Sequence, residues 1–173
     1  LQVAVHEAGI VHGDLKPANV MVTPAGEPVL LDFGLAREDG ALAETLGTSS
    51  SDAGTPSYMA PERLDPSLGS PDRRIDVYAA GCMLHECIAG RPPFDVGGRD
   101  ALYRTILQGT VPELAGEGAS SDLSIVVHAA MALEPDHRYA TAMDLADDLE
   151  RLASKRPILA RPPSLRRRLA LWL

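Results

Sequence analysis

The chain has 173 residues, 45% of them hydrophobic and 23% charged, which supplies one globular core and excludes a disordered or fibrous polymer. Its formal charge of −8 is uneven: residues 151–173 hold seven of the 16 basic and none of the 24 acidic side chains. The remaining body is strongly acidic, which argues against nucleic acid as the main partner and suits a basic substrate, a metal–nucleotide complex or plain solubility. Cys82 and Cys87 lie in an apolar helical stretch and match no zinc or redox spacing. They read as buried free thiols in a reducing cytoplasm. No purely apolar run approaches the ~20 residues of a membrane span.

In chain order, residues 1–10 read as the end of a helix closed by Gly9. Val20-Met21-Val22 and Val29-Leu30-Leu31 are β-type runs, joined by the turn formers of Thr23 to Pro28. Residues 35–58 are rich in Gly, Ser, Thr and Ala without periodicity, and a long segment of that kind inside a compact domain is usually functional. Residues 75–89 predict a helix buried on all sides, stopped by Gly90 and Pro92-Pro93. Amphipathic helices are expected over 99–108, ending at Gly109, and over 121–133, ended by Pro135. A last helix over 142–153 opens on a capping box of Thr141 and Asp144.

The densest polar cluster is His12-Gly13-Asp14-Leu15-Lys16-Pro17-Ala18-Asn19, between a helix end and a strand. Gly13 and Pro17 predict a loop there. Asp14 could orient a hydroxyl, Lys16 could neutralise phosphate charge, and the Asn19 amide oxygen could hold Mg²⁺. Asp32-Phe33-Gly34 follows the second β run. The hairpin should return Asp32 to the neighbourhood of Asn19, giving two hard oxygen ligands for Mg²⁺, with phosphate oxygens and water completing the octahedron. Gly34 would permit an unusual backbone angle at the hinge of the long loop.

A His-x-Asp or Asp-Phe-Gly tripeptide alone arises by chance. In this order and spacing, the two resemble the catalytic loop and magnesium motif of the protein kinase family. Gly54-Thr55-Pro56-Ser57-Tyr58-Met59-Ala60-Pro61-Glu62 resembles the segment that closes a kinase activation loop. Asp76-Val77-Tyr78-Ala79-Ala80-Gly81 resembles the start of the family's central helix, and Arg138 follows Pro135 as the family's late arginine does. Lys16 and Thr55 match the Ser/Thr branch, and Gly90-Arg91-Pro92-Pro93-Phe94 is similar to bacterial members.

The resemblance implies a kinase C-lobe that is mainly helical, with a small β-hairpin carrying the catalytic and magnesium motifs. It implies ATP and Mg²⁺ as cofactors and Ser/Thr hydroxyls of proteins as acceptors. Asp14 would be the catalytic base, Lys16 would contact the γ-phosphate, and Asn19 and Asp32 would hold the metal. Glu62 and Arg138 would form a buried ion pair, and Asp76 would hydrogen-bond the backbone of the catalytic loop. His12 would pack beneath that loop.

The 173 residues contain no Gly-rich phosphate loop and no Val-Ala-x-Lys strand, so ATP binding and transfer by this chain alone are expected to be weak or absent. The catalytic domain is expected to span 1–155 as a piece of a longer protein. Residues 156–173 read as a basic linker, or as a juxtamembrane tail that would bring the parent to a membrane surface. Two other readings compete. One is a non-catalytic kinase-like binding module. The other is a small-molecule phosphotransferase of the aminoglycoside or choline type, which often carries His-Gly-Asp in this loop; Lys16, the 54–62 segment and Arg138 count against it.

Gly13 stands where the family usually carries an arginine that clamps a phosphorylated activation loop. Thr45, Thr48, Ser49, Ser50 and Ser51 are candidate modification sites, but without that clamp their phosphates lose their usual receptor. Activity of the full-length protein is therefore expected to survive phosphatase treatment; abolition of activity by phosphatase would contradict this.

Overall fold

The computed structural model describes residues 2–39, 56–114 and 120–161. Thr45, Thr48 to Ser51, Gly54, Thr55 and most of the basic tail lie outside them. The described chain is mainly helical, with four short strands. Helix α1 (Gln2–Glu7) is followed by strand β1 (Ile10–Val11), the loop 12–19, and strands β2 (Val20–Val22) and β3 (Pro28–Leu30). After strand β4 (Arg37–Glu38) come 3₁₀ turns at Pro56–Tyr58, Pro61–Arg63 and Pro66–Leu68. The rest is helical: α2 (Arg74–Ala89), α3 (Arg99–Leu107), α4 (Ser121–Ala130) and α5 (Ala142–Ala153).

The expected hairpin is present, pairing Val20 with Leu30 and Met21 with Val29 in antiparallel register. A second pairing, Val11 opposite Arg37 and Ile10 opposite Glu38, falls where the sequence predicts a helix end and an unstructured loop. Two-residue strands carry no readable alternation, so only the fold shows them.

Helix α2 is the centre of the packing. Ile75, Tyr78 and Cys82 join Val11, Phe94, Ile106 and Met131 in one core cluster, while Val77 faces a second with Val126, Ala130 and Leu145. A Cβ at Gly81 would sit 2.8 Å from both the Ala130 Cβ and the Met131 Cγ, so a hydrogen at this position sets the α2–α4 approach. Gly90 ends α2 in the left-handed region at φ 70°.

Burial on all sides does not hold for the whole of α2. Its fully buried residues end at His85, and Cys87 is exposed. The packed neighbours cover its first three turns, so only Cys82 is the buried thiol expected. Helix α4 stops at Ala130, short of the expected 133, and Pro135 begins a separate 3₁₀ turn. The capping box of α5 forms as expected: the Thr141 hydroxyl accepts from the Asp144 N–H at 3.1 Å, and the Asp144 carboxylate accepts from the Thr141 N–H at 3.0 Å.

The 3₁₀ turn at Pro61–Arg63 is tied to the helices through Glu62 and Arg138, whose side chains are both 0% exposed. The guanidinium donates to the two Glu62 oxygens at 2.7 Å each, and to the carbonyls of Ala132, Leu133 and Arg74. All five of its N–H groups are thereby used, and it lies 4.9 Å from the Tyr78 ring centre. Beyond α5, the Asp148 carboxylate accepts from the Leu159 and Ala160 N–H groups at 2.7 and 2.8 Å and from the Tyr139 hydroxyl at 2.9 Å. The start of the basic tail is thus stapled to the domain.

Arg138→Met leaves Glu62 buried without its counter-charge, and is expected to cost about 3–5 kcal/mol of stability in urea unfolding. A loss below ~1 kcal/mol would show that the pair is solvated in the folded protein.

Candidate active site

Apart from the 3₁₀ turn Pro17–Asn19, the loop 12–19 has no regular structure, so its shape comes largely from groups outside it. Asp76, in the first turn of α2, supplies the main anchor. Its Oδ2 accepts from the His12 N–H at 2.7 Å and its Oδ1 from the Gly13 N–H at 2.9 Å. The His6 ring Nε2 on α1 lies 3.1 Å from the same Oδ2. A carboxylate with 1% exposure needs such donors, since burial without them costs several kcal/mol.

His12 is fully buried and packs beneath the loop as expected. Its Nε2 lies 3.0 Å from the Leu31 carbonyl, and its Nδ1 accepts from the Asp14 N–H at 3.3 Å. This pattern fits the tautomer with the proton on Nε2. The ring stands 5.0 Å from the Phe33 ring, linking the loop to the Asp32-Phe33-Gly34 segment.

On that base, Asp14, Lys16 and Asn19 come together. The Lys16 ammonium donates to Asp14 Oδ2 at 2.6 Å. The Asn19 amide nitrogen donates to the Asp14 backbone carbonyl at 2.8 Å and to Asp14 Oδ2 at 3.1 Å. Asp14 Oδ2 therefore takes two donors, and committing the Asn19 nitrogen inward fixes the orientation of its amide oxygen. The 3₁₀ turn Pro17–Asn19, with Pro17 at its first position, sets the spacing between Lys16 and Asn19.

Asp32 is brought up by the hairpin. The Leu31 N–H donates to the Asn19 carbonyl at 2.8 Å, which extends the β2–β3 pairing to the residue before Asp32. The unusual backbone angle falls on Asp32, at φ 58°, and not on Gly34. Aspartate tolerates that region because its short side chain bonds locally: Asp32 Oδ1 accepts from the Gly34 N–H at 3.1 Å. Gly34 is needed for room, as a Cβ there would sit 2.9 Å from Asp32 Oδ1. Asp32 is exposed. Among the described residues no group of three or more His, Cys, Asp or Glu could hold a metal ion. A site built on Asn19 and Asp32 would have only two protein oxygens.

A cleft beside Asp14 is lined by Lys16, Pro56, Tyr58, Arg63 and Ile75, among others. Tyr58 donates its hydroxyl to Glu86 at 2.5 Å. Burial first, and then that carboxylate, push the Tyr58 hydroxyl well above its ordinary pKa. Arg63 donates through Nη1 to the Gly13 carbonyl. Nothing in the sequence singles out Arg63: it is one arginine after a motif, and its partner lies 50 positions earlier.

The protein kinase domain family matches residues 3–151. The chain belongs to the protein kinase domain family. Its relatives include a probable serine/threonine-protein kinase of Corynebacterium efficiens, 39% identical over 155 residues, covering 86% of this chain and 23% of that protein. Serine/threonine-protein kinase PknB of Mycobacterium tuberculosis is 36% identical over 154 residues, covering 88% of this chain and 24% of that protein. A probable serine/threonine-protein kinase of Streptomyces coelicolor is 34% identical over 155 residues, covering 88% and 23%. This kinase domain chain thus spans about a quarter of the length of the curated relatives it matches. Among its described residues no helix is long and apolar enough to cross a membrane.

Proposed function

We propose that the chain is the C-lobe of a Ser/Thr protein kinase, carrying the residues that orient the acceptor hydroxyl and hold the metal while ATP's γ-phosphate is transferred to a protein. The observation that carries the proposal is the Asp14 carboxylate, tied to Lys16 and Asn19 on a loop anchored by Asp76. In this reading Asp14 accepts the hydroxyl proton from the incoming Ser or Thr. Lys16, whose ammonium sits on Asp14, would neutralise charge that develops on the transferred phosphate.

The donor set fits Mg²⁺. The Asn19 nitrogen is committed to Asp14, which leaves the amide oxygen for the metal, and Asp32 Oδ2 is not used by the Gly34 contact. Bound Mg²⁺ would neutralise the phosphate oxygens of ATP. The protein's own contribution is to hold these two oxygens on a hairpin whose register ties them together.

The hairpin side of the site is apolar and open. Met21, Val22, Leu31, Phe33 and Leu35 are all exposed. Exposed apolar side chains beside a polar cluster are what a nucleotide-covering partner would bury. The residues that would cover ATP are absent from the 173. The domain is read as 1–155, acting in the cytoplasm, with 156–173 as a basic linker or juxtamembrane segment.

The purified 173-residue chain should give no phosphate transfer from ATP to a generic protein substrate, with Asp14→Asn as the blank. In the protein expressed at the full length of its reading frame, Asp14→Asn should lower kcat by about 10²–10⁴. Asp14-dependent transfer by the 173-residue chain contradicts the missing cover. Full activity of the longer Asp14→Asn protein contradicts the assignment of Asp14. Transfer to small alcohols and not to Ser/Thr peptides would favour the aminoglycoside-type reading.

A further inference from the structure

The Gly13–Asp14 peptide decides where the Asp14 side chain points. Rotation of that peptide plane changes φ of Asp14 and swings its Cα–Cβ bond. Gly13 has no side chain to restrain it, and its φ of 77° lies where other residues are strained. A Cβ there would also meet the Leu35 carbonyl oxygen at 3.2 Å. The peptide can therefore be held only through its backbone atoms. On its N–H side the Asp14 N–H reaches the His12 ring at a long 3.3 Å, while Asp76 holds the Gly13 N–H of the preceding peptide. The Gly13 carbonyl accepts from Arg63.

Arg63 is well placed to act as a fixed support. It ends the 3₁₀ turn Pro61–Arg63, and its neighbour Glu62 is locked to Arg138 by two hydrogen bonds. Burial lowers the Arg63 guanidinium from its ordinary pKa, and Asp14 and Asp76 are the charges that most oppose this. The guanidinium therefore sits in the field of both carboxylates that define the loop, and carries a charge-assisted hydrogen bond to the peptide between them.

We infer that Arg63 is the positioning residue for Asp14: it fixes the Gly13–Asp14 peptide and so holds the Asp14 carboxylate in its working direction without any modification of the chain. The inference rests on the reading of Asp14 as the group that orients the acceptor hydroxyl. Arg63 acts through the peptide and its charge, not on the substrate. Its loss should therefore appear in kcat and leave the binding of ATP and acceptor largely intact. Misplacement of a reacting group by about 1 Å costs on the order of 10²-fold in rate, which sets the scale.

The test uses the protein expressed at the full length of its reading frame, treated with phosphatase, comparing wild type with Asp14→Asn, Arg63→Met and Arg63→Lys. Methionine keeps the apolar stem and removes the donor and the charge; lysine keeps both. The expected result for Arg63→Met is a kcat loss of about tenfold or more, with KM for ATP and peptide within about twofold and the melting temperature near wild type. Arg63→Lys should return to within about threefold of wild-type kcat. Four results overturn the inference while leaving Asp14's role standing: a folded Arg63→Met protein with wild-type kcat; a loss confined to the peptide KM, which would make Arg63 a substrate contact; an Arg63→Met protein that does not fold; or Arg63→Lys as impaired as Arg63→Met. A wild-type protein without Asp14-dependent transfer overturns the reading of Asp14 and this inference with it.

Discussion

A carboxylate with 1% exposure sits in the first turn of the central helix, and the arrangement of the site depends on what it binds. Burying Asp76 is costly unless donors converge on it. Two of those donors are successive backbone amides, of His12 and Gly13, at the start of a loop that has no ladder of its own. The helix is held in turn by packing on both of its faces, through Tyr78 and Cys82 on one side and Val77 on the other. The chain of cause runs from core packing to Asp76, from Asp76 to the loop backbone, and from there to Asp14, Lys16 and Asn19.

A second, independent support comes from the opposite direction. Glu62 and Arg138 form a fully buried bidentate pair, and a pair of that kind stabilises chiefly by fixing geometry, because desolvation consumes much of its Coulomb energy. Here it fixes the 3₁₀ turn from which Arg63 reaches the Gly13 carbonyl. Gly13 therefore has a negative group at its N–H, in the peptide before it, and a positive group at its C=O, in the peptide after it, each mounted on a different packed element.

What the sequence made legible follows the range of the interactions. Helix ends marked by Gly90, Gly109 and the Thr141–Asp144 box were readable because caps are local. The 12–19 cluster and the hairpin were readable because the chemistry-bearing residues lie within about twenty positions of one another. The misses are long-range or depend on surroundings. The Val11–Arg37 pairing joins two strands too short to show periodicity. Cys87 is exposed because packing stops before the end of its helix. Asp32, and not Gly34, takes the left-handed angle because its own carboxylate caps the turn through the Gly34 N–H. Arg63 was invisible because an arginine's partner 50 positions away leaves no mark on spacing.

The most direct test of this account is residue-resolved hydrogen exchange on the wild-type and Asp76→Asn proteins. Asparagine keeps one acceptor oxygen, so one of the two loop amides must lose its partner while the helix and its core packing persist. The account predicts faster exchange at the His12 or the Gly13 amide, whichever loses its acceptor, by about tenfold or more for a lost bond worth 1.4 kcal/mol or more, with the amides of the central helix unchanged. Equal exchange at His12 and Gly13 in the two proteins would contradict it.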